Sequence, residues 1–300
     1  MIITIDKNSG FCFGVIYAIR TAEQYLQQHQ SLYCLGDIVH NNEEVSRLTD
    51  LGLRIITPEQ FKNLHDTTVL IRAHGEPPAT YQTAKENNIT LIDATCQVVA
   101  RLQKKIETEV EQHPEAQILI VGKAGHAEVE GLLGQTRLNG LVVSSIHDLE
   151  HIDYAKPAKL YAQTTQSAER YKEIVEKICE SYKKRGNEHL IEIHNTICKR
   201  VRNRANEIKD FASQFDVVLF VSDEKSSNGL FLYEICKKQN PNTYFISSVN
   251  QLQHIDFEKY NTIGICGATS TPIWLMEKIA KNLHTFSLKN TLHVTKKLKH

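Results

Sequence analysis

The sequence predicts an α/β protein made of three similar modules, each with a small, largely parallel sheet. Two observations predict it. Short β-branched runs alternate with longer stretches of helical period. In addition, nine strand ends, each running into a polar turn and then a helix, sort into three sets of three. Strand-then-helix repetition means βαβ units, hence parallel sheets. Modules of this kind, packed around a pseudo-threefold axis, can turn their strand ends toward one central cavity, and in open α/β sheets ligands sit beyond the carboxyl ends of the strands.

The elements follow in order. Strand-like runs include Ile2–Ile5, Val69–Ile71, Ile89–Ile92, Ile118–Val121, Val217–Val221 and Thr262–Ile265. After the first, Val15, Ile19, Ala22 and Leu26 recur at helical spacing. The first turn of each set carries a cysteine: Gly10-Phe11-Cys12-Phe13-Gly14-Val15, Asp93-Ala94-Thr95-Cys96-Gln97-Val98 and Asn195-Thr196-Ile197-Cys198-Lys199-Arg200. The second turns are Asp37-Ile38-Val39-His40-Asn41, Gly125-His126-Ala127-Glu128-Val129-Glu130-Gly131 and Ser226-Ser227-Asn228-Gly229. The third are Ala73-His74-Gly75-Glu76, Gln163-Thr164-Thr165 and Gly267-Ala268-Thr269-Ser270-Thr271-Pro272. Matching positions recur roughly every 85 to 105 residues. That period sets modules at 1–96, 97–197 and 198–285, with a tail over 286–300. The tail, with Lys289, Lys296, Lys297 and Lys299, reads as a solvated end or a lid strand.

Composition excludes several classes. Among 300 residues, 41% are apolar and only seven are proline, so the chain is neither disordered nor low-complexity. Lys plus Arg and Asp plus Glu both number 35. A balanced chain has no global pull toward nucleic acid or an anionic membrane, so an anion site must be built locally. There is no run of eighteen apolar residues and no signal-peptide core at the start, which leads us to expect a soluble cytoplasmic protein.

Seven cysteines, none in a C-x-x-C pair, do not describe a disulfide framework. Cys34, Cys179, Cys236 and Cys266 lie in apolar or helical surroundings and read as small core residues. Cys12, Cys96 and Cys198 each stand where a helix begins, which favours the thiolate, the form that binds metal. Three thiolates can hold zinc, or three irons of a cubane cluster with a fourth iron left open; spacing alone does not choose. His40, His74, His126, Ser226, Ser227, Asn228 and Ser270 form a set of neutral donors at helix starts, a cradle for phosphate without basic charge. No Walker-type glycine-lysine loop is present. Glu128, two residues after His126, is an acid in an anion site, where the usual reason for an acid is proton transfer. Its bland reading is an ordinary first-turn glutamate, which is how we read Glu130. Thr164 can hand its hydroxyl to Glu128 and orient it.

Gly-Phe-Cys-x-Gly-Val, Val-His-Asn, Ala-His-Gly, Asp-Ala-Thr-Cys, Gly-His-x-Glu-Val-Glu-Gly, Gln-Thr-Thr, Thr-Ile-Cys, Ser-Ser-Asn and Gly-x-x-Ser-x-Pro occur in that order. In this the chain resembles the IspH (LytB) family of 4-hydroxy-3-methylbut-2-enyl diphosphate reductases, across residues 1 to about 285. The resemblance implies a trefoil of three α/β domains around a central iron-sulfur site. It implies one 4Fe-4S cluster held by Cys12, Cys96 and Cys198. It implies diphosphate contacts from His40, His74, His126, Ser226, Ser227, Asn228 and Ser270, a substrate-hydroxyl contact from Thr164, and proton delivery by Glu128. The implied reaction removes the hydroxyl of an allylic diphosphate as water, with two electrons and two protons, to give isopentenyl and dimethylallyl diphosphate in the non-mevalonate isoprenoid pathway. The electron donor would be a ferredoxin or flavodoxin. This chain departs from the family pattern at Gln97, Lys123, Ala127 and the run Lys199-Arg200-Val201. Two other readings of the residues are another three-cysteine iron-sulfur enzyme, of the quinolinate synthase kind, and a zinc-stabilised anion-binding module without catalysis.

Overall fold

Twelve parallel strands among the described residues form three sheets of four, and all three are wound in one pattern. The structure, a computed structural model, describes residues 2–137 and 139–283 without the Ser227 side chain. The tail expected over 286–300 lies outside the described residues. The elements run β1 (Ile2–Ile5), α1 (Phe13–Leu26), β2 (Leu32–Leu35), α2 (Asn42–Asp50), β3 (Leu53–Ile56), α3 (Pro58–Lys62), β4 (Thr68–Ile71), α4 (Pro78–Glu86) and β5 (Thr90–Asp93). Next come α5 (Gln97–Gln112), β6 (Gln117–Val121), α6 (Ala127–Gly134), β7 (Gly140–Val143), β8 (Ala158–Ala162), α7 (Ala168–Lys183) and β9 (Ile191–Ile193). The described residues finish with α8 (Lys199–Ala212), β10 (Val217–Val221), α9 (Ser227–Gln239), β11 (Thr243–Ile246), β12 (Thr262–Gly267) and a helix α10 over 273–283.

The strand orders are β3-β2-β4-β5, β7-β6-β8-β9 and β11-β10-β12-β1. Each is the same winding: second, first, third, fourth. This corrects the expected module boundary in one respect. β1 does not join the sheet of residues 32–93; it pairs in parallel with β12, Ile2 opposite Thr262 through Ile5 opposite Ile265, and supplies the fourth strand of the last sheet. The repeat therefore begins at the first strand after a cysteine-led helix. The shared plan extends to the connections. After the second strand of each sheet, a short helical turn opens with an amide bonded to a side chain three residues on: Thr57 to Gln60, Ser145 to Asp148 and Ser248 to Gln251.

The chain forms two compact units, one of residues 13–38 and 48–202, the other of residues 1–12, 39–47 and 203 onward. The first holds the sheets β3-β2-β4-β5 and β7-β6-β8-β9. Both faces of the latter are covered: Leu119, Leu160 and Ala162 pack with Ile174 and Ile178 of α7, while Ile118, Ile120 and Tyr161 pack with Leu102 and Ile106 of α5 and Leu132 of α6. The second unit repeats this arrangement. Val217, Leu219 and Ile263 pack on Leu275, Met276 and Ile279 of α10, and Val218 and Phe220 pack on Ile208 of α8 and Leu232 of α9. Burial on both faces explains why β10 reads as an unbroken apolar run rather than an alternating one.

Candidate functional site: a repeated thiol and two polar turns

In each sheet the chain reverses its direction of winding between the first and third strands, and ligand crevices of open α/β sheets form at such a switch point. The polar turns expected from sequence occupy those two strand ends. His40 follows β2 and His74 follows β4; His126 follows β6 and Thr164 follows β8; Ser226 follows β10 and Ser270 follows β12. The cysteine turn follows the fourth strand of each sheet and opens α1, α5 or α8.

The three cysteines share one backbone bond. Each amide donates to a carbonyl in the turn after the third strand of its own sheet: Cys12 to Thr269 at 3.1 Å, Cys96 to Ala73 at 3.0 Å and Cys198 to Thr164 at 2.8 Å. All three are partly exposed. Cys34, Cys236 and Cys266 are fully buried, and burial pushes the Cys34 thiol up to about 12, the behaviour of a core residue rather than a ligand. Cys179 is half-buried on α7. Beside Cys96 the backbone of α1 comes so close that a Cβ on Gly14 would lie 2.7 Å from Sγ, which is why Gly-Val, and not a larger pair, follows Cys12-Phe13.

The second sheet carries the acid. His126 caps α6: its Nδ1 accepts the Glu128 amide at 3.2 Å, which places the ring proton on Nε2 and makes that nitrogen a donor. Its ring meets that of His74 edge-on, with centroids 5.2 Å apart and planes at 80°. Glu128 is buried, with its Oε1 accepting the Thr164 amide at 2.6 Å. Burial pushes its carboxyl up to about 7, against the downward pull of the Thr164 amide and hydroxyl. Thr164 thus orients Glu128 mainly through its backbone, where the sequence suggested its hydroxyl. Glu130, two residues on, is exposed.

The His74 turn is braced from below. Gly75 has φ +70°, and a Cβ there would come within 2.8 Å of the Gln103 amide nitrogen. Gln103, buried on α5, donates to the Glu76 carbonyl at 3.3 Å. Glu76 is itself a buried acid held above its ordinary value by burial, with Arg72 and Thr80 opposing.

The other unit holds the hydroxyls and the amide. Ser226 caps α9 by accepting the Gly229 amide at 3.1 Å, and its Oγ lies 2.9 Å from that of Ser270. Asn228 is buried; its Nδ2 donates to Thr269 Oγ1 at 3.2 Å, and its Oδ1 has no hydrogen-bond partner among the described residues. Since the two ends of an amide exchange by a half-turn, Asn228 can equally accept from Thr269 and offer its NH2. His40 lies in this unit too, one residue before Asn41, whose Oδ1 accepts the Glu44 amide at 3.0 Å. That segment is held by the Asn42 amide on Asp223 Oδ2 at 3.0 Å and by Trp274 Nε1 on Glu44 Oε2 at 2.7 Å. The Ser227 side chain lies outside what is described.

Sequence reasoning missed Gln103, Thr269 and Asp223, which brace these turns. Gln103 and Asp223 stand outside the turn motifs and Thr269 is hidden inside one, and only the glycine of Ala-His-Gly hints that something large lies beneath.

Fold and site together define a class: a thrice-wound α/β protein in which each sheet delivers one partly exposed thiol and two polar turns suited to an anion. Comparison with known proteins makes this particular. The LytB protein family matches residues 3–284, and the chain belongs to that family. The 4-hydroxy-3-methylbut-2-enyl diphosphate reductase of Bacteroides fragilis is 50% identical over 281 residues, covering 93% of this chain and 96% of that protein. That of Porphyromonas gingivalis is 47% identical over 285 residues, covering 94% and 98%. Among solved structures, the E-1-hydroxy-2-methyl-but-2-enyl-4-diphosphate reductase of Plasmodium falciparum superposes with a TM-score of 0.82 at 25% identity, covering 94% of this chain and 87% of that one. An (E)-4-hydroxy-3-methyl-but-2-enyl diphosphate reductase, described as the terminal enzyme of the non-mevalonate pathway, superposes with a TM-score of 0.70 at 33% identity, covering 95% and 100%.

Proposed function

We infer that this chain is a 4-hydroxy-3-methylbut-2-enyl diphosphate reductase, an iron-sulfur oxidoreductase acting at the end of the non-mevalonate isoprenoid pathway. The observation that carries the reading of the site is the threefold equivalence of Cys12, Cys96 and Cys198: same strand position, same helix start, same amide acceptor. We propose that these three thiols hold one 4Fe-4S cluster. Partly exposed thiols at helix starts suit metal ligation, whereas the buried Cys34, Cys236 and Cys266 do not. When bound, the cluster would relay to the substrate the two electrons that the external donor provides. The electron donor we propose is a small ferredoxin or flavodoxin, met in the cytoplasm; no helix among the described residues is long and apolar enough to cross a membrane.

The chain's own residues hold the substrate and move a proton. His126 offers Nε2–H, Asn228 its amide, and Ser226 and Ser270 their hydroxyls to diphosphate oxygens; His40, His74 and Ser227 complete the proposed set. Neutral donors at helix starts bind such an anion without the cost of burying counter-charges. With Oε1 of Glu128 engaged by the Thr164 amide, the proton rests on Oε2, and a carboxyl near neutrality can give it to a departing hydroxyl. Thr164 contacts that hydroxyl in the proposed arrangement. The balance is one allylic alcohol, two electrons and two protons to one reduced diphosphate and one water.

Anaerobic iron and sulfide analysis, with turnover of the allylic diphosphate under a chemical reductant, tests this. Cys12→Ser, Cys96→Ser and Cys198→Ser each lose most of the iron, while Cys236→Ser keeps it. Bleaching by Cys236→Ser with iron retained in Cys198→Ser would refute the ligand set.

A further inference from the structure

The three cysteines differ in how the chain reaches them. Cys96 stands three residues past the end of β5 and Cys198 five past β9, whereas Cys12 stands seven past β1. A longer approach has more conformational freedom to lose, and its order must come from somewhere. It comes from a fully buried arginine. Arg204 on α8 pairs with Asp6 Oδ2 at 2.5 Å, donates from Nη2 to Ser9 Oγ at 2.7 Å, and donates from Nη2 and Nε to the Gly267 carbonyl at 3.0 and 3.3 Å. Ser9 Oγ is saturated at this junction: it accepts from Arg204 and from the Gly267 amide at 2.8 Å, and donates to Asp6 Oδ2 at 3.0 Å. The Asp6 carboxylate also takes the Asn8 amide at 3.0 Å. Gly267 lies two residues before Thr269, whose carbonyl receives the Cys12 amide. The guanidinium therefore fastens both sides of the Cys12 turn, the approach at Asp6–Ser9 and the end of β12. The approaches to Cys96 and Cys198 are held by an exposed carboxylate and by neutral groups: Asp93 on the Thr95 amide and hydroxyl, Asn195 on the Ile197 amide, and Thr196 on the Ala162 amide and carbonyl.

We infer that Arg204 is the positioning residue for Cys12, through a buried clamp that the other two cysteine turns lack. The clamp is stated for the loop itself; its bearing on metal retention rests on the proposed ligand set. A buried ion pair is a poor source of net stability, but its removal on one side leaves an uncompensated charge, so it holds its neighbours in one arrangement. Only a planar fork meets Asp6, Ser9 and Gly267 together, so lysine is not an equivalent.

Two variants of the full chain test this: Arg204→Lys, which keeps the charge, and Ser9→Ala, which keeps the ion pair but removes the junction hydroxyl. Amide exchange is read in the segments leading to each cysteine, together with the rate of iron release to a chelator. The expected result in Arg204→Lys is exchange of residues 6–13 faster by about tenfold or more, with residues 93–97 and 194–199 unchanged, and iron released several-fold faster. Ser9→Ala shows the same selective change, smaller. Exchange over 6–13 matching wild type in both variants would overturn the inference, as would equal acceleration at all three turns. A wild-type protein that binds no iron and sulfide would instead overturn the proposed ligand set, and the exchange result would still decide the role of Arg204.

Discussion

The polar turns of the second and third sheets occupy the same topological positions yet have opposite characters. After β6 and β8 stand a capping histidine, a buried carboxyl and an amide aimed at it. After β10 and β12 stand two serines 2.9 Å apart and a buried asparagine, while the carboxylate of Asp223 in the turn after β10 accepts the Asn42 and Lys225 amides. One frame carries a buried carboxyl in one copy and neutral hydroxyl and amide groups in another. The lesson is that a repeat fixes where chemistry happens, while the side chains at the equivalent positions decide which chemistry it is.

The largest expected effect breaks the comparison at its acid. Glu128→Gln keeps the shape and the bond from the Thr164 amide but has no transferable proton. Turnover in anaerobic single-turnover kinetics is expected to fall about a hundredfold or more, with iron content and substrate affinity near wild type. Glu130→Gln, exposed and two residues along, should match wild type. Near-normal turnover in Glu128→Gln would return the residue to an ordinary helix-start charge.

The same variant has a stability signature of definite sign. The folded protein holds the Glu128 proton up to about pH 7, whereas an unfolded glutamate releases it near 4.5. The folded state therefore binds more protons between those values, and stability is lost as pH rises through that window. Removing the carboxyl removes the loss. Glu128→Gln is expected to match wild type below pH 4.5 and to be more stable by up to about 3 kcal/mol at pH 8. Denaturant unfolding at the two pH values reads this. A helix-dipole role predicts the opposite sign, a small loss at pH 8.

In the other sheet, Asn228→Ala is expected to weaken substrate and inorganic diphosphate by about 1–3 kcal/mol, with turnover at saturation largely kept. Calorimetric titration checks the affinity, and unchanged diphosphate binding would remove Asn228 from the cradle. Ser270→Ala is the mildest case. It takes one hydroxyl from a pair whose other member also caps α9, so about 1 kcal/mol of diphosphate affinity is expected to be lost.

Much of this was legible in the sequence because turns carry their chemistry in local order. The cysteine, histidine, serine and threonine turns all lie at strand ends, as their spacing indicated, and the runs Ile118–Val121 and Val217–Val221 are strands of buried sheets. What escaped was long-range. β1 looked like the start of the first module, because nothing in Ile2–Ile5 reveals that its partner is β12, more than 250 residues away. Arg204 lies in the charged run of α8, where nothing local marks it, and only the fold shows it fully buried against Asp6 and Ser9. Glu128 and Glu130 have identical side chains on one short helix, and only packing separates the buried acid from the exposed one.

The claim on which the mechanism turns is that Glu128 carries a proton in the folded protein near neutrality. Infrared difference spectroscopy of the carboxylic-acid carbonyl band, titrated from pH 5 to 9 in wild type and in Glu128→Gln, reads that proton directly. We predict a protonated-acid band that disappears with a midpoint near 7 and is missing from the variant. A spectrum in which the two proteins do not differ, with every carboxyl already ionised above pH 5, would contradict it.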